Sequence, residues 1–124
     1  MIDCEHVFAL SIKGSPYRWF KASLRRGDLA GVRAAASELG RNVSLVDALS
    51  IVLLMAAKDD EAFDRAATRW LARLALERPT AGLDDVRLGL TALEALPHNP
   101  EAAKSVLRAL CARHRLEQVI GLLA

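Results

Sequence analysis

Aromatic residues are scarce in this chain of 124 residues: two Trp, one Tyr and three Phe. Val and Ile are also few beside Ala and Leu, and this balance favours helix over strand. Only two cysteines occur, Cys4 and Cys111, far apart, which excludes a disulfide framework. The net charge of +2 is too small to imply a nucleic-acid or membrane partner by itself. No apolar stretch approaches the ~20 residues that a bilayer-spanning helix needs. The first residues, MIDCEH, are acidic and lack the basic region and apolar core of a signal peptide, so the expectation is a cytoplasmic protein with free thiols. There is no phosphate-cradling glycine loop and no HExxH zinc motif.

What is there is ordinary for one soluble domain: 52% apolar and 26% charged residues. The positive charge gathers at one end. Residues 1–41 carry seven Lys and Arg against four acids, whereas 42–80 carry five against six and 81–124 five against five.

The stretch that organises the chain is 44–76. Ser44 is a helix N-cap, with Asp47 at the capping-box position three residues on. From Leu45 to Ala57 the only polar side chains are Asp47 and Ser50, so this helix has to be covered on most sides. Asp59 and Asp60 break the pattern, and either can cap the next helix. There Phe63, Ala67, Trp70 and Leu74 recur at helical spacing with Ala66 and Leu71 beside them, giving one buried face. The opposite face carries Glu61, Arg65, Arg69, Arg73 and Glu77 in an i, i+4 row, in which the end acids can pair with their neighbours and leave Arg69 over. Pro79 ends the helix.

Elsewhere the punctuation is equally plain. Ser15-Pro16 starts a first helix that Gly27 stops, and Trp19, Phe20, Ser23 and Leu24 are expected on its buried side. Asp28 caps a second helix, with Ala34-Ala35-Ala36 allowing close approach of a neighbour, and Gly40 ends it. A fifth helix runs from about Leu83 to Leu96 and stops at Pro97. Asn99-Pro100 starts a sixth, on which Ala103, Val106, Leu107, Leu110 and His114 face one way. Beyond His114 the apolar stripe moves to the opposite side, which predicts a break near His114–Arg115 and a short terminal helix over 116–123. That helix ends in GLLA, and it either docks on its own core or contributes to a dimer. Residues 1–14 are expected to form an arm over the core.

The predicted fold is all-α: stacked antiparallel helical hairpins over 15–40, 44–78 and 82–114, about six helices plus the terminal one, as a superhelix-like stack or a compact bundle in a single domain. A faint internal repeat supports pairing: Asp28-Leu-Ala30-x-x-Arg33-Ala34-Ala35 matches Asp60-Glu-Ala62-x-x-Arg65-Ala66-Ala67, and Ser44-Leu45-x-Asp47 resembles Gly82-Leu83-x-Asp85. The Ala/Arg/Leu-rich helices, GDLAGVRAAA at 27–36 and RWLARLALE at 69–77, resemble those of small uncharacterised all-helical proteins of high-GC bacteria. That resemblance implies a helical fold and brings no activity with it.

For chemistry, His6, His98 and His114 lack a nucleophile and orienting acid at a recognisable spacing, and the pairs Asp59-Asp60 and Asp84-Asp85 sit where helices begin. Cys4-x-His6 and Cys111-x-x-His114 supply the residue types of a structural zinc site, but with tight spacings and at opposite ends of the chain. The expectation is a protein that is not an enzyme and holds no metal or cofactor. The surface candidates are two. Tyr17, Arg18, Lys21, Arg25 and Arg26 interleave cations with aromatics on the first helix, which suits phosphates and bases. Arg65, Arg69 and Arg73 form a line that can meet phosphates or stay solvated. The favoured reading is a protein–protein interaction or adaptor module, including self-association as a homodimer. Nucleic-acid binding by the basic N-terminal helix is the alternative.

Overall fold

A computed structural model describes residues 15–116. Among them are six α-helices and no strand: α1 (Ser15–Arg26), α2 (Leu29–Leu39), a 3-10 turn at Gly40–Asn42, α3 (Leu45–Ala57), α4 (Phe63–Glu77), α5 (Leu83–Ala95) and α6 (Pro100–Arg113). No helix of the described residues is long and apolar enough to cross a membrane. The described residues are all-α as expected, with contacts between neighbouring helices within each unit. The N-terminal arm and the terminal helix expected over 116–123 lie outside the described residues, Leu116 apart. Contacts divide the chain into two compact units that meet at Val43 and Ser44.

In the first unit α1 packs on α2. Asp28 caps α2, its Oδ1 accepting from the Gly31 N–H at 3.0 Å. The helices touch closely at Gly31, where an added Cβ would lie 2.6 Å from Ser23 Oγ. Phe20, Ser23, Val32 and Ala35 are fully buried. Trp19 was expected among them, yet it is 41% exposed. The contact line follows Phe20, Ser23 and Leu24 at i, i+3, i+4, and the tight Ser23–Gly31 crossing leaves no room for an indole one step outside that line.

The second unit begins with α3. Ser44 Oγ accepts from the Asp47 N–H at 3.1 Å, the cap the sequence predicts. No residue from Leu45 to Ala56 is exposed. Leu45, Leu49, Val52 and Met55 are buried among the core, each contributing about 1.5–3 kcal/mol. α4 packs on α3, α5 on α4 and α6 on α5. Trp70 of α4 is 1% exposed, and its indole N–H donates to the Leu45 carbonyl at 2.8 Å. α5 presents Gly89 to both neighbours: a Cβ there would lie 2.7 Å from Leu71 Cδ1 and 3.2 Å from Leu110 Cδ2.

Three helices stop in the same way. The residue after the cap turns left-handed, at Gly27 (φ 71°), Asp59 (φ 53°) and Arg115 (φ 63°). The next N–H then reaches back five residues, from Asp28 to Ser23, Asp60 to Met55 and Leu116 to Cys111. The last of these is the break expected near His114–Arg115, and buried Leu116 and Cys111 supply the apolar contact that accompanies such an ending. A left-handed arginine is strained where glycine is not. Arg115→Gly is therefore expected to raise unfolding free energy in urea by ~0.5–1 kcal/mol. A lower stability would mean that the arginine side chain makes contacts worth more than the strain.

Candidate functional site

On α1, Arg18 and Arg25 are exposed and Lys21 is half-buried on the side away from Phe20. Tyr17, 44% exposed, and Trp19 flank this strip. The Lys21 ammonium lies 5.7 Å from the Tyr17 ring centroid, a cation–π contact, and the Tyr17 and Phe20 rings are stacked 6.3 Å apart. Arg26 is turned toward the helix end, bonded to Ser23 Oγ at 3.4 Å and Asp28 Oδ2 at 3.3 Å. Four of the five candidates therefore share one surface and Arg26 is engaged locally.

On α4, Arg65 and Arg69 are exposed, while Arg73 donates from Nε to Glu77 Oε2 at 2.8 Å. The expected pair between Glu61 and Arg65 is not formed. The α-helix starts only at Phe63, so Glu61 lies in the preceding turn and loses the i, i+4 geometry. Asp60 Oδ2 accepts from the Ala62 N–H at 3.0 Å and holds that turn. The arginine row is thus two solvated cations followed by one partnered cation.

A feature the sequence reading did not assemble joins α5, α6 and the loop before α5. Asp85 is the third residue of α5, and its Oδ2 accepts from the Gly82 N–H at 3.2 Å. Its Oδ1 accepts from Arg113 at 2.6 Å. His114, at the end of α6, is 3% exposed; its Nδ1 lies 2.8 Å from Thr80 Oγ1 and its Nε2 3.1 Å from Asp85 Oδ2. Burial opposes the Asp85 charge, but the Gly82 N–H, the Arg113 hydrogen bond and attraction to His114 and Arg113 outweigh it and hold the carboxyl below its ordinary pKa. Hydroxyl, imidazole and carboxylate here fall in one line, the order of a nucleophilic relay. The second link is misaligned, however: despite the short distance, buried Nε2 has no hydrogen-bond partner among the described residues. A relay needs that bond to set the tautomer of the base. The cluster instead ties two helix ends and a loop together.

Of the residue types that suggested zinc, Cys4 and His6 lie outside the described residues. Cys111 is buried, and burial pushes its thiol pKa from 9.0 up to about 11, which keeps it protonated and a poor ligand. Among the described residues no cluster of three or more His, Cys, Asp or Glu could hold a metal ion.

Among the described residues the large apolar side chains left exposed are Tyr17, Trp19, Leu76, Leu83, Leu88 and Leu90, and Leu90 borders a depression between α4 and α5. Phe63, Ala67, Leu71, Leu90 and Leu93 line this depression of about 290 Å³, rimmed by Asp64, Thr68 and Glu94. Leu90 is 48% exposed beside it, and Leu88 36% exposed on the same helix. The periodicity of α4 was read as one buried face; the flank carrying Asp64, Thr68 and Leu71 is the part it did not separate.

No protein-family model, curated protein or solved structure matches this chain.

Replacing Asp85 tests the polar cluster. Because its folded pKa is depressed, its charge contributes stability that is complete above 3.8 and is lost as pH falls through the lower folded value. Asp85→Asn is expected to lower the urea midpoint at neutral pH, and the difference from the parent chain should shrink in acid below that range. A difference that stays constant into strong acid would show that the carboxylate charge is not what holds the cluster.

Proposed function

We propose that this protein is a non-enzymatic helical interaction or adaptor module acting in the cytoplasm, with the α4–α5 face as its contact surface. The observation that carries this is the apolar depression floored by Phe63, Ala67, Leu71, Leu90 and Leu93. Phe63, Ala67, Leu71 and Leu93 are buried in its floor, and Leu90, 48% exposed, is the apolar side chain that a partner would cover. Of the two helices that form it, α4 is tied to α3 by the Trp70 indole, and α5 lies close to Leu71 and Leu110 at Gly89. A photo-crosslinking residue at Thr68 or Leu90 should capture protein in cells at least several-fold more efficiently than one at exposed Glu101 on α6. Equal capture at all three positions would remove the reason to assign the contact to this face.

A second reading rests on α1. Its exposed Tyr17 and Trp19 flank Arg18, Lys21 and Arg25, an arrangement suited to stacking on bases and contacting phosphates. On this reading a single-stranded oligonucleotide is retarded at low salt, and Arg18→Ala with Arg25→Ala weakens binding by roughly tenfold and flattens its salt dependence. Retardation that the double substitution leaves intact would end it.

A further inference from the structure

The charge excess of the described chain is local. Residues 15–43 hold six Lys and Arg against two acids, whereas 44–116 hold ten against ten. The exposed aromatics are local too. Phe20, Phe63 and Trp70 are buried, and the two aromatic side chains left exposed among the described residues, Tyr17 and Trp19, both stand on α1. The groups of α1 differ in how far they are engaged. The Tyr17 ring stacks with Phe20 and carries the Lys21 ammonium, and Arg26 is held by Ser23 and Asp28. Arg18, Trp19 and Arg25 make no hydrogen bond, ion pair or ring contact among the described residues.

Helix geometry gathers these three around one small side chain. On a helix surface the neighbours of a residue are those three and four positions away, ~5–6 Å off between Cβ atoms. For Ala22 they are Arg18, Trp19, Arg25 and Arg26. Ala22 is short and half-buried, so it floors a shallow seat walled by the indole and by guanidinium groups before and after it.

We propose that this seat takes an unpaired base of a single-stranded nucleic acid, stacked on the Trp19 indole, with Arg18 and Arg25 on the flanking phosphates. The inference rests on the reading of α1 as a nucleic-acid surface and supplies the form of nucleic acid that it selects. An indole stacks on the flat face of a base, whatever the base. In a duplex those faces are covered by the neighbouring pairs, and the grooves present edges. The arginines therefore meet phosphates of either form, while Trp19 meets the single strand alone. Arg18 and Arg25 stand about 10 Å apart along the axis, and their long side chains reach to both sides of a nucleotide seated between them. An anionic lipid surface also attracts such cations. A helix lying in a membrane interface sinks its apolar face among the lipids, however, and the apolar face of α1 is committed to α2.

The test titrates the full chain with an oligothymidylate of roughly ten nucleotides and with a duplex carrying the same number of phosphates. Tryptophan emission is read together with the anisotropy of the labelled nucleic acid. Trp70 is buried, so the change in emission reports on Trp19. At low salt the single strand should bind about tenfold tighter than the duplex, the worth of one stacked base, and quench the emission. Trp19→Leu should remove that preference and leave the weaker, salt-dependent binding that both forms share. Trp19→Phe, which keeps a ring, should retain part of it. Arg69→Ala, at an exposed cation of α4, should leave both affinities unchanged. Equal binding of the two forms by the parent chain, or a preference that Trp19→Leu leaves intact, would overturn the proposal while the broader reading of α1 stands. Loss of binding in Arg69→Ala would place the contact outside α1 and overturn it as well. No binding of either form would end both readings. Binding to phosphatidylserine vesicles and to neither nucleic acid would overturn it in favour of a lipid surface.

Discussion

The Trp70 indole sits on the first carbonyl of α3, and much of the second unit follows from that one contact. A buried indole N–H without an acceptor is costly. The carbonyl of Leu45 supplies the acceptor at 2.8 Å. The bond fixes where α4 crosses α3, and it does so at the point where Ser44 has already capped α3. The remaining constraint is the composition of α3 itself. With Asp47 and Ser50 its only polar side chains, and both buried, every flank from Leu45 to Ala56 has to be covered.

α4 has one face committed to α3 and one flank facing α5. Gly89 brings α5 close to Leu71 on one side and Leu110 on the other. Asp85 then fastens the start of α5 to the end of α6 through Arg113, with His114 alongside. The two helices that flank the apolar depression are thus anchored at points away from it.

The helices were legible because their boundaries are written in residues with strong local effects. Ser44, Asp28, Asn99-Pro100 and Pro97 act within one turn of where they stand, and the switch of apolar stripe after His114 required the break now seen at Arg115. The buried faces of α4 and α6 followed from periodicity, and the burial of α3 from its having only Asp47 and Ser50 as polar side chains. What periodicity did not give is where two helices meet. Trp19 and Phe20 look alike as apolar neighbours, and only the Ser23–Gly31 crossing decides that Phe20 is buried and Trp19 is not. The start of α4 was placed too early because Asp60 satisfies the turn before the helix begins, and with that the Glu61–Arg65 pair was lost. The Asp85–His114 juxtaposition spans 29 positions of sequence and carried no signal beyond an acid in a first turn and a histidine on an inward face. Gly89, a lone glycine inside an apolar helical pattern, was the one available hint that α5 is approached closely from both sides. The α4–α5 depression was hidden for a related reason: it belongs to the flanks of two helices and to neither helix alone.

The central physical claim is that the Trp70–Leu45 bond and the buried side chains of α3 hold α3 and α4 together as one cooperative unit. Amide hydrogen exchange of the full chain, resolved by residue, measures this directly. The amides from Leu49 to Ala56 should exchange only through global unfolding, with a protection free energy equal to that from urea denaturation. Exchange of those amides well below the global free energy, at rates like those of α6's exposed side, would show that α3 opens locally and apart from α4.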